Sequence, residues 1–109
     1  MRCGIHAVTT LHTVNKHSLN SDLLSSCLRV ARSGDCILLI EDGIYNVRTL
    51  ADVAAGQGCE LSALQCCVLR DDLTARGLDE SALPDFIAAV DHAGFVALAC
   101  AHRQSVHWF

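Results

Sequence analysis

Cys36-Ile37-Leu38-Leu39-Ile40 decides the fold. These five apolar residues run without a break, after Gly34 and before Glu41-Asp42-Gly43. The run is too short for an independent helix and rich in strand formers, so it reads as a central strand buried on both faces. A strand of that kind belongs to a parallel sheet, whose crossover connections lay helices over both sides. The sequence on either side of it must then supply helices and further strands.

Upstream, Thr10-Leu11-His12-Thr13-Val14 has the β-branched, alternating character of a short strand, with a turn over 15–18. From 19 to 32, apolar residues at 19, 23, 24, 27, 28, 30 and 31 form the stripe of a helix packed by one face. Ser18 or Asn20 is the expected N-cap, Asp22 suits the first turn, and Ser33-Gly34 ends the helix. Downstream, a helical pattern over 44–55 stops at Gly56-Gln57-Gly58. A third strand is expected over 64–69, a short helix over 70–76 stopped by Gly77, and a fourth strand over 86–90 after Pro84. Asp91 caps an alanine-rich helix over 92–101, and 105–109 adds a last short strand.

Alternating strands and helices predict a single three-layer α/β/α domain around a mostly parallel sheet of four to five strands, Rossmann-like or flavodoxin-like. Its expected span is 10–109. Residues 1–9 have no clear period and are expected to be a flexible extension. With 109 residues there is room for one core.

Composition narrows the class. Apolar residues make up 51% of the chain and charged residues only 18%, against roughly 45–50% and about 25% in ordinary soluble domains. A small domain has much surface to cover, so the shortage of polar residues predicts that another chain covers part of it. The net charge of −4 and the lack of any lysine or arginine cluster argue against direct nucleic-acid binding. No apolar run approaches the roughly 18–20 residues of a membrane span, and the start has no long apolar core of a secretory signal. A cytoplasmic protein is expected. Seven cysteines, an odd number without Cys-x-x-Cys, fit reduced thiols better than a disulfide framework.

Motifs for common chemistries fail. Gly56-Gln57-Gly58 starts a dinucleotide fingerprint, but position 61 is leucine and the segment precedes a strand instead of following one. There is no P-loop and no Gly-x-Ser-x-Gly. The six histidines are scattered, and Cys66 and Cys67 point to opposite faces of a strand, so no metal site and no cofactor are expected. Cys66 and Arg70 do not bracket an anion-binding loop, because Cys67-Val68-Leu69 reads as strand. Cys27 remains. It sits on the apolar stripe of the first helix, where a thiol serves as a small hydrophobe. The alternative is a sulfur carrier, which needs an accessible thiol of lowered pKa. Cys27 lies late in its helix, where the dipole hinders a thiolate, and only Arg29 and Arg32 are near in sequence.

Several stretches, taken in order, resemble one family. They are Leu11-His12-Thr13-Val14-Asn15-Lys16, Cys27-Leu28, Leu38-Leu39-Ile40-Glu41-Asp42-Gly43-Ile44-Tyr45, the segment from Leu69 to Gly77, Val90-Asp91-His92-Ala93-Gly94-Phe95-Val96, and Trp108. The set is similar to the TusB/DsrH family of small sulfur-relay subunits, and the likeness runs from about residue 10 to the end. It implies a DsrEFH-like domain that assembles with TusD/DsrE-type and TusC/DsrF-type subunits as a dimer of heterotrimers. The principal persulfide-forming cysteine then belongs to the TusD/DsrE-type partner, sulfur passes to a TusE/DsrC-type acceptor, and Cys27 is at most a secondary persulfide site.

The setting Leu24-Ser25-Ser26-Cys27-Leu28, Asn15-Lys16 and Asp42-Gly43-Ile44-Tyr45 look more like the DsrH branch, which implies intracellular sulfur oxidation. The alternative is the TusB branch, which supplies sulfur for 2-thiouridine at the tRNA wobble position. A second alternative is a self-sufficient sulfurtransferase using Cys27 as nucleophile. Trp108 and Phe109, at a terminus, are expected to anchor an interface. Arg70-Asp71-Asp72 and Arg76 are expected on a solvated or subunit-facing turn, with their charges paired across the interface.

Overall fold

A computed structural model describes residues 8–109. Residues 1–7, most of the expected extension, lie outside the described residues. Thr9 is tied to the domain, its carbonyl accepting from the Arg103 and Gln104 N–H groups.

Five parallel strands form one sheet in the order β4-β3-β2-β1-β5. They are β1 (Thr10–Val14), β2 (Cys36–Leu39), β3 (Gln65–Leu69), β4 (Ile87–Val90) and β5 (Gln104–Trp108). The decisive run is the central strand, and all four of its residues are buried. Helices α1 (Leu23–Val30), α2 (Leu50–Gly56) and α3 (Arg70–Ala75) pack on one face, while α4 (His92–Ala101) crosses the other to deliver β5 to the far side of β1. The layers are α/β/α as expected, with the sheet parallel throughout.

The pleat divides the core. Val14, Ile37, Leu39 and Val68 face α1, α2 and α3, where Leu24, Leu28 and Leu50 are sealed. Each such leucine contributes about 2 kcal/mol of burial. Leu11, Cys36, Leu38 and Cys67 face the other way, against Phe95 and Leu98 of α4. Cys66 and Cys67 thus enter opposite layers, as adjacent strand residues must.

Two helices depart from the sequence pattern. The helix expected over 19–32 runs only from Leu23 to Val30, with Asp22 at its N-cap instead of Ser18 or Asn20. Buried Asn46 holds the preceding segment in a turn, accepting from Ser18 N at 2.8 Å and donating to the Lys16 carbonyl at 2.9 Å. Leu19, assigned to the apolar stripe, is 83% exposed as a result. The helix expected over 44–55 is a 3-10 segment, Glu41–Arg48, followed by α2. The tight segment starts early because Gly43 passes against β1. A Cβ there would strike the Val14 carbonyl, so no other residue fits. Gly77, just past α3, has φ of 70°, the left-handed conformation expected where a helix is stopped; Gly34, at φ 90°, sits instead in the turn before β2, because α1 already ends at Val30 with Ala31 extended.

Candidate functional site

Cys27, the one sequence-derived candidate, is fully buried on the inner side of α1. Burial, with Cys59, Asp35 and Cys66 close enough to repel a thiolate, pushes its thiol up to about 12. Only on the order of one thiol in 10⁵ is then ionised at neutral pH. The expected cations do not help, since the Arg29 guanidinium turns to the Gln57 side chain at 3.1 Å. Arg32 offers only its backbone N–H, which donates to Asp35 at 3.0 Å. Cys27 fills the helix–sheet layer, out of contact with solvent.

The other described cysteines divide by depth. Cys66 is pushed up to about 11 by burial and by Cys67. Cys36 and Cys67 lie together in the buried layer under α4, and the neighbouring Cys67 thiol together with burial raises the Cys36 thiol. Half-buried Cys59 is raised by burial and by Glu60. Cys100 is exposed on α4.

At the carboxyl ends of the strands, where parallel folds commonly place ligands, the polar groups bond mostly to one another. Arg76 pairs with Asp42 at 3.1 Å and lies 3.9 Å from Asp72. Glu41 stands at φ 49°, strained for a residue with a side chain, and its N–H donates to Asp72 Oδ2 at 2.8 Å. Arg70 pairs with Glu80 at 2.7 Å and donates to the Ala89 carbonyl at 3.3 Å. The arginine–aspartate segment expected to pair across an interface therefore pairs within the chain, because the turns after β2 and β3 meet here and the segment leading into β4 lies beside them. Tyr45 is 40% exposed and stacks on His17. Asn15 Oδ1 is the buried side-chain polar atom without a partner among the described residues. No group of three or more possible metal ligands occurs among them.

Among the described residues, the layer made by α4 and β5 leaves an apolar helix face and a strand edge uncovered. Over its ten residues α4 carries no charged side chain and buries none completely. Gly94, Phe95 and Leu98 turn inward, whereas Ala93, Val96, Ala97 and Cys100, at i, i+3, i+4 and i+7, line the outer side. A helix that is apolar all round belongs inside a protein. Beside it β5 is the edge strand of the sheet among the described residues. Its Gln104 N–H and Trp108 carbonyl bond toward β1, so the backbone groups of Ser105 and His107 face outward. Val106 and Phe109 are 37% and 68% exposed. The opposite edge, β4, has its Ala89 carbonyl covered by Arg70.

Trp108 does not share that exposure. Expected as an interface anchor, it is half-buried against the core of its own chain. Its indole N–H donates to His12 Nδ1 at 3.1 Å. His12 lies in the first stretch that resembles the family, but nothing local in the sequence ties it to Asp35, 23 residues on. The signal available was a histidine inside an alternating strand and an aspartate immediately before the central one.

The family described as "DsrH like protein" matches residues 17–105. The chain belongs to that family. Curated relatives of this DsrH-like chain include Protein TusB of Pectobacterium parmentieri, 33% identical over 98 residues, 90% of this chain and 99% of the relative. Protein TusB of Sodalis glossinidius is 33% identical over the same length, and the Klebsiella pneumoniae protein is 32% identical over 101 residues. Among solved structures, Tm0979 of Thermotoga maritima superposes with a TM-score of 0.61 at 19% identity, covering 84% of this chain and 92% of that one. MTH1491 of Methanobacterium thermoautotrophicum gives 0.62 at 15%, covering 91% and 96%. These two likenesses establish the fold of the DsrH-like chain. No helix among the described residues is long and apolar enough to cross a membrane.

Proposed function

We propose that this chain is the TusB-type subunit of a cytoplasmic sulfur-relay complex whose product is 2-thiouridine at the tRNA wobble position. Its role is to dock TusC-type and TusD-type sister subunits. The observation that carries the reading is α4, a charge-free helix with an apolar outer side on a chain of the DsrH-like family. An apolar surface of that kind is costly in water and belongs against another protein. The persulfide chemistry falls to the TusD-type partner, where a thiolate of the TusE-type acceptor attacks the outer sulfur. One S–S bond forms, the other breaks, and the partner's cysteine leaves as thiolate.

The burial of Cys27 supports this division of labour. So do the TusB names of the relatives, which favour the tRNA branch over the sulfur-oxidation branch. The test is deletion of the gene and complementation, with wobble 2-thiouridine quantified by mass spectrometry of digested tRNA. Loss on deletion and recovery with the wild-type chain is the expected result. Unchanged thiolation refutes the reading.

The second reading, a DsrEFH-type subunit relaying sulfur during intracellular sulfur oxidation, rests on the Leu24-Ser25-Ser26-Cys27-Leu28 setting. In it, as in the first reading, Cys27 is at most a secondary sulfur site, so its test is the pathway: deletion of the gene slows oxidation of stored sulfur and leaves wobble thiolation unchanged. The self-sufficient sulfurtransferase is the reading that needs Cys27 itself. The isolated chain, charged with a sulfane-sulfur donor, would then show a +32 Da adduct (one sulfur) on Cys27, and its absence removes that reading.

A further inference from the structure

We propose that His12 is an acid-operated latch for the C-terminal strand, holding Trp108 when neutral and releasing it when protonated. The hydrogen bonds fix the tautomer. An indole N–H only donates, so His12 Nδ1, which receives it at 3.1 Å, must carry the lone pair. The ring proton is then on Nε2, which donates to Asp35 Oδ2 at 2.9 Å. Both partners of that pair are about 5% exposed, so water does not relieve a mismatch.

Adding a proton to His12 affects its two sides in opposite ways. Toward Asp35 the bond becomes charge-assisted and strengthens. Toward Trp108 the new Nδ1–H faces the indole N–H, and two donors meet with no acceptor between them. The ring therefore stays with Asp35, and the indole is the group that moves. Asp35 is held in place to do this, since its carboxylate also accepts from Thr10 N at 2.9 Å and Arg32 N at 3.0 Å.

The surroundings contain few competing groups. From the connection between α1 and β2 the facing charge is Asp35, with the Arg32 side chain at its rim. From α1 it is the Cys27 thiol, whose burial keeps it neutral. β2 presents Ile37 and Leu39 to this layer, neither of which titrates. β5 and its approach bring His107 and His102, bonded to the hydroxyls of Thr13 and Thr9. A hydroxyl rotates to donate or accept, so protonating those two histidines leaves their bonds intact. His12 alone is caught between a fixed acceptor and a fixed donor. None of this depends on the sulfur-relay reading.

Trp108 is the chain's single tryptophan, so its fluorescence reports the latch directly. The test is acrylamide quenching of the full-length protein at pH 8 and pH 5.5. Losing one hydrogen bond weights the released form about fivefold, so quenching rises and emission shifts to the red in acid. His12→Gln abolishes the pH step, whereas His102→Gln and His107→Gln keep it. If His12→Gln does not fold, nitrogen-15 NMR of wild-type histidines answers the same question. The His12 ring is then protonated only at Nε2 at pH 8, and its second protonation coincides with the shift of the indole N–H signal. Quenching equal at both pH values, an unchanged step in His12→Gln, or an indole signal that ignores His12 protonation each overturns the proposal.

Discussion

Replacing Asp35 by alanine tests whether the polar pin between β1 and β2 is as costly to lose as its geometry implies. The carboxylate is 3% exposed and accepts three hydrogen bonds, from His12 Nε2 at 2.9 Å, Thr10 N at 2.9 Å and Arg32 N at 3.0 Å. Each bond to a charged group is worth about 1.5–3 kcal/mol net. The two backbone donors are only partly buried and recover some of this from water, whereas His12 is sealed. The expected loss is about 3–4 kcal/mol, a fall in Tm of at least about 12 °C for a domain of this size. Asparagine should rescue little, since its amide NH₂ must face one of the same donors. Burial opposes the Asp35 charge, but the N–H groups of Arg32, His12 and Thr10 outweigh it and hold the carboxyl below its ordinary 3.8. The group therefore contributes stability above the unfolded-state value and loses it as pH falls through the lower folded value. Urea unfolding of wild type and variant from pH 7 to 3.5 should show the gap shrinking below about pH 4. A variant within about 0.5 kcal/mol of wild type at pH 7, or a gap that does not shrink in acid, refutes the reasoning.

Val96→Asp on the outer side of α4 should leave Tm of the isolated chain nearly unchanged and weaken co-purification with TusC-type and TusD-type subunits by at least tenfold. Thermal melts and quantitative pull-downs of the same preparation check both halves. Gly43→Ala should cost more than about 2 kcal/mol by urea unfolding, since its methyl group meets the Val14 carbonyl. Under native conditions iodoacetamide should label Cys100 and leave Cys27 unmodified, as seen by peptide mass spectrometry, with Cys27 reacting only after unfolding. Leu19→Ser should change stability by less than about 0.5 kcal/mol, which marks the true start of α1.

The strands were legible because each carries a local signal strong enough to survive tertiary packing. The apolar run at 36–40, the β-branched alternation at 10–14 and the Asp91 cap, which accepts from Gly94 N at 2.7 Å, all stand where the pattern put them. What failed depended on contacts between distant residues. The start of α1 is set by Asn46, some thirty residues away, which draws Lys16 and Ser18 into a turn that no local periodicity records. The pairing of Arg76 with Asp42 likewise joins segments that only the fold brings together.

The candidate site was legible in position but not in chemistry. Cys27 falls on the expected inner stripe of α1, yet its depth and the groups that repel its thiolate come from Asp35, Cys59 and Cys66 on other elements. Trp108, next to the terminus, reads from sequence as an exposed anchor. Its bond to His12 follows from the crossover of α4, which returns the chain to the strand where it began. The shortage of charge in the composition includes the ten residues of α4, which carry no aspartate, glutamate, lysine or arginine.

Hydrogen exchange of backbone amides, measured on the chain alone and again in complex with its TusC-type and TusD-type partners, tests the docking role most directly. The account predicts strong added protection over α4 and the outward amides of Ser105 and His107, with little change in α2 and α3. Unchanged exchange of α4 and β5 in a stable complex, with protection arising on the opposite face, would contradict it.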